Sequence, residues 1–80
     1  MTAERLRFTV YGFASVHDTL AAEDVLVRAC ISAVTIPAPK ELGELCGIAL
    51  RVRPGDAGAA VRAFDRAGTP ALRSAEIEDF

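Results

Sequence analysis

The stretch PAPKELGELCGIALRV (Pro37–Val52) decides how this chain folds. From Pro37 to Leu45 it holds two prolines and a glycine, which read as loop chemistry. From Cys46 onward it alternates, with Ile48, Leu50 and Val52 to one side and Ala49 and Arg51 to the other, the period of a β-strand. The preceding ISAVTIP (Ile31–Pro37) is also a strand, closed by Pro37, since proline cannot donate to a sheet ladder. A loop rather than a helix therefore joins the second and third strands.

Working outward, LRFTVYGF (Leu6–Phe13) is a first strand, with Leu6, Phe8 and Val10 expected on the core side and Arg7, Thr9 and Tyr11 opposite. ASVHDTLAAEDVLVRAC (Ala14–Cys30) predicts a helix with Ser15 as N-cap, Asp18 in the first turn, and Val16, Leu20, Val27 and Cys30 on one apolar face. PGDAGAAVRAFDRAG (Pro54–Gly68) predicts a second helix, capped by Asp56, with Val61 and Phe64 inward and Gly68 at the stop. TPALRSAEIEDF (Thr69–Phe80) supplies a short fourth strand and a frayed end. The order β-α-β-β-α-β is the split βαβ pattern of an α+β, ferredoxin-like sandwich. Right-handed crossovers then give a four-stranded antiparallel sheet in the order 4-1-3-2, with two helices on one face.

Eighty residues make one domain, spanning 1–80. A content of 51% hydrophobic residues hints at a partner or self-association face, so a homodimer is one expectation. The net charge of −2 offers no global attraction for nucleic acid or anionic lipid. The third strand also lacks the aromatic that base stacking on this fold uses. No apolar run approaches the ~18 residues of a membrane span, and MTAERLRF has no signal-peptide core. The expectation is a cytoplasmic protein with reduced thiols and no metal, since two cysteines and one histidine are too few for a zinc cage.

In this topology the third strand starts beside the ends of the first and second. Cys46 is thereby expected near Gly12, Phe13, Ile36 and Pro37, and near the first helix start at Ser15 to His17. A helix N-terminus carries about half a positive charge, which favours a thiolate. Gly47 lets a bulky group approach, and the Pro37–Leu45 loop is placed to cover the thiol, with Lys40 supplying positive charge. Glu44 acts against ionisation. Two readings of Cys46 stand on these grounds, a reactive thiol or a small buried filler. Cys30 reads as core filler, ~22 Å along the helix axis from Ser15 and too far from Cys46 for a disulfide. Glu23 falls among Val16, Leu20 and Val27 and needs a loop N–H, Lys40, or a solvent path at the sheet edge. His17 either bonds the thiol or a substrate, or is solvated. Arg7, Arg51, Arg53 and Arg73 either gather with Tyr11 on the helix-free face or form ordinary solvated surface.

FASVHDTLAAE (Phe13–Glu23), IPAPKE (Ile36–Glu41) and CGIAL (Cys46–Leu50) together resemble the small selenium/sulfur (Se/S) carrier-like domains, over nearly the whole chain. That family typically has Arg where Lys40 stands and small hydroxyl residues where Glu44 and Leu45 stand. The resemblance implies that Cys46 holds sulfur or selenium as a persulfide or selenopersulfide and passes it from a donor protein to an acceptor. It implies no cofactor beyond that covalent atom. Pro37, Pro39, Lys40, Glu41 and Glu23 would order the loop, while Gly47, Ser15 and His17 would frame the thiol. Such a domain is a carrier more than an enzyme, because thiol exchange supplies the chemistry. The competing reading is a ligand-sensing or protein-interaction module in which Cys46 only packs.

Overall fold

Proline and glycine punctuation and alternating strands produce the expected element order. The structure, a computed structural model, describes residues 6–43 and 47–79. It contains β1 (Leu6–Gly12), α1 (Val16–Arg28), β2 (Ala33–Pro37), β3 (Ile48–Val52), α2 (Ala57–Ala67) and β4 (Arg73–Asp79). Single 3-10 turns, Lys40–Leu42 and Pro54–Asp56, precede β3 and α2 respectively. The sheet order is β2-β3-β1-β4, which is 4-1-3-2 read from the other edge, and all three pairings are antiparallel.

Both helices lie on one face. Ala22 and Leu26 of α1 and Ala60 and Phe64 of α2 bury against Tyr11, Leu50 and Val52. Phe64 meets the edges of Tyr11 and Phe13 at ring-centroid separations of 5.2 and 5.4 Å, near-perpendicular contacts that suit the ring quadrupoles. The Tyr11 hydroxyl donates to the Ala57 carbonyl at 3.1 Å, and burial raises its pKa above the usual tyrosine value.

Expectations change on four elements. On β1 the faces are reversed: Tyr11 points into the helix-covered core, while Phe8 and Val10 point to the helix-free face, as the Tyr11–Leu50 and Val10–Arg51 pairings require. The Leu6 side chain lies outside the described part. Val10 is nonetheless fully buried, because a loop covers it from the other side. Alternation alone cannot assign the faces of a strand covered on both.

On α1 the buried positions are Thr19, Ala22 and Leu26, whereas Val16, Leu20 and Val27 are about half or more exposed, at 47, 50 and 66%. The helix carries two apolar stripes, and the one with Thr19, Ala22 and Leu26 is the one that packs. Cys30 is likewise exposed and not in the core. It sits just past the helix at φ +60°, with its amide bonded to the Val27 carbonyl at 3.0 Å and the Ile31 amide to Leu26 at 2.9 Å. This is a Schellman ending in which cysteine holds the left-handed position usually given to glycine. The corresponding position after α2 is a glycine, Gly68, at φ +73°.

On α2, Ala60 and Phe64 are buried while Val61 is 43% exposed, and Asp56 sits at the N-cap without a capping side-chain bond. Finally, β4 is not short: it pairs with β1 from Arg73 to Asp79 along that strand's whole length.

Candidate functional site

The end of the sheet where β1 and β2 finish is where β3 begins. Gly12 pairs with Ala49 and Pro37 with Ile48, and the Ala38 amide donates to the Gly47 carbonyl at 2.9 Å. Just beyond β1, at the turn that follows Phe13, Ser15 opens α1: its Oγ accepts from the Asp18 amide at 3.0 Å. A cap of this kind is worth ~1 kcal/mol. Thr19, fully buried, donates through its hydroxyl to the Ser15 carbonyl at 2.9 Å and fixes the first turn from inside.

Cys46, Glu44 and Leu45 lie outside the described residues. Gly47 is described: it is exposed, at φ +93°, and a Cβ there would meet nothing within 4 Å. Glycine is thus favoured at 47 by backbone conformation, not by crowding.

The loop after β2 crosses the helix-free face. Pro39 begins its turn, with the Leu42 amide bonded to the Pro39 carbonyl at 3.0 Å and the Gly43 amide to the Lys40 carbonyl at 2.9 Å. Lys40 and Glu41 point to solvent. Leu42, only 1% exposed, packs on Val10 and Ala49, with Ile36, Ala38, Ala75 and Ile77 around them. Arg73 then anchors the loop by donating from Nη1 to the Leu42 carbonyl at 2.9 Å. Gly43, at φ +73°, makes room for that guanidinium, which a Cβ would strike. Leu42, Gly43 and Arg73 therefore hold the loop, and none was singled out for this role from sequence. The one available signal was the leucine–glycine pair set among the charges of KELGEL.

The structure gathers Gly47, Pro37 and Pro39 along one connected path, with Ser15 opening the helix at the same end of the sheet. Glu23 belongs elsewhere. Eight residues along the helix from Ser15, or ~12 Å, its Oε2 accepts from the Thr35 hydroxyl of β2 at 2.7 Å. Among the described residues the observed partner of Glu23 is this hydroxyl, which ties α1 to the sheet edge on the helix-covered side. His17 is exposed. The arginines divide: Arg51 and Arg73 share the helix-free face by register, whereas Tyr11, expected with them, does not. Among the described residues no His, Cys, Asp and Glu cluster is placed to hold a metal, and no helix is long and apolar enough to cross a membrane.

Comparison with known proteins adds one finding. A family model described as "Putative Se/S carrier protein-like" matches residues 9–74, most of the chain. No curated protein and no solved structure matches.

Proposed function

The chain belongs to the Se/S carrier protein-like family, and from that premise we propose that Cys46 accepts a sulfur or selenium atom from a donor protein and surrenders it to an acceptor. The observation that carries the reading is the position of Gly47. Gly47, the residue that follows Cys46 in the sequence, lies at the end of the sheet where two neighbouring strands finish and the capped α1 begins.

The step balances without an external oxidant. The Cys46 thiol gives its proton to solvent, and the thiolate attacks the terminal sulfur of a donor persulfide. The donor's S–S bond breaks, its electron pair leaves on the donor thiolate, and Cys46 becomes the persulfide. A donor selenopersulfide follows the same course, with selenium as the atom attacked. A partial positive charge from the α1 start would favour the attacking thiolate and the anionic product. Positive φ at Gly47 would set the direction in which residue 46 leaves the strand, and the Leu42–Arg73 anchorage would fix the other end of the loop.

Incubation with a persulfide donor followed by intact-mass measurement tests this. Wild type should gain one sulfur atom that Cys46→Ser does not; equal gain by both proteins overturns the reading.

A second reading, an interaction module, is favoured by the exposed Val16, Leu20 and Val27 along α1. A Cys46→Ser variant that kept all partner binding and lost no function in cells would favour it over the carrier.

A further inference from the structure

The loop that carries Leu42 covers only part of the helix-free face. Beyond it, next to the Phe8 and Arg51 positions of β1 and β3, the sheet opens into a cavity of about 450 Å³. Small-molecule sites typically measure ~300–1,000 Å³. Its lining brings Arg51 and its same-parity neighbour Arg53 together with Phe8, Val34 and Pro54, while Arg7 borders it from a strand position of opposite parity. A chain with net charge −2 has thus placed Arg51 and Arg53 together at one hollow.

The arrangement is partly ordered in advance. The Arg51 guanidinium carbon lies 4.3 Å from the centre of the Phe8 ring, a cation–π contact that restrains a side chain with several rotatable bonds. A restrained guanidinium loses less entropy when it pairs with an anion, and its fork suits the two oxygens of a carboxylate or phosphate. A second depression, about 610 Å³ between the two helices, has three arginines but is more open and has no aromatic wall.

We infer that the cavity binds a small organic anion, one that joins a carboxylate or phosphate group to a flat apolar ring. The anionic group meets Arg51 and Arg53, and the ring lies against Val34, Pro54 and the Phe8–Arg51 stack. A volume of about 450 Å³ favours a small molecule over a long polymer. This site lies away from Gly47, since the four residue steps from Gly47 to Arg51 span about 13 Å.

Phenyl phosphate and inorganic phosphate, titrated against isotope-labelled protein by amide NMR, test the inference. Phenyl phosphate should give saturable shifts at Phe8, Val34 and Arg51, and inorganic phosphate should bind ~tenfold more weakly or not at all. Arg53→Gln, an exposed change that leaves the fold intact, should weaken phenyl phosphate by ~tenfold, the usual loss for one charge-assisted hydrogen bond. Absence of saturable shifts at these residues, equal binding of the two probes, or unchanged affinity in both Arg53→Gln and Arg51→Gln would overturn it.

Discussion

Leu42→Ala tests the loop anchorage that shapes the helix-free face. The leucine side chain is almost wholly buried on Val10 and Ala49. Removing three carbons at ~0.8 kcal/mol each loses about 2.4 kcal/mol. The space left behind adds to this, and truncations of this type cost ~2–5 kcal/mol in all. A loss of ~3 kcal/mol is therefore expected, a large share of the ~4–12 kcal/mol typical for a domain this size. Urea denaturation followed by far-UV circular dichroism measures it directly, and the thermal midpoint should fall by ~12–24 °C. Leu42→Met, which keeps the volume, should cost less than ~1.5 kcal/mol. A loss below ~1 kcal/mol for Leu42→Ala would mean that the leucine is not seated on the sheet in solution, and the loop would need another explanation.

Gly43→Ala should destabilise by ~1–3 kcal/mol, because it strains a positive φ and pushes Arg73 off the Leu42 carbonyl; the same urea titration reads it, and an unchanged midpoint would contradict it. Cys30→Gly should stabilise by ~1 kcal/mol, since the side chain at φ +60° opposes the conformation the Schellman ending imposes. A loss of thermal stability would refute that. Tyr11 should resist ionisation until pH exceeds its ordinary value of 10.0, because the buried phenolate is the disfavoured form. Its folded pKa is raised, so its contribution is full below the unfolded value and is lost as pH rises through the folded one. Phenolate absorbance should lag behind that of free tyrosine and stability should fall over the same range, whereas a normal titration with no change in stability would be the contrary result.

Much of the architecture was readable in the chain because its signals are local. Pro37 ends β2, Gly68 ends α2, Ser15 caps α1, and the proline-punctuated connection from β2 to β3 sets the order of elements. What escaped depends on which surfaces meet in space. Val10 and Tyr11 are both buried on opposite faces of β1, so hydrophobicity could not tell which faces the helices. In α1, Val16, Leu20 and Val27 stay outside while Thr19, Ala22 and Leu26 pack inside, a choice between two apolar stripes that periodicity alone does not make. Cys46 itself lies outside the described residues, while the partnership of Glu23 with Thr35 and the Leu42–Arg73 anchorage both join distant segments of chain, which no local pattern encodes.

The central claim is that Cys46, and not any accessible thiol, takes up the cargo atom. Cys30 is exposed and free, so it serves as an internal reference. Limiting persulfide donor, followed by peptide mapping of the added sulfur, compares the two directly. The account predicts that sulfur appears first and predominantly on the Cys46 peptide; sulfur shared equally, or found first on Cys30, would contradict it.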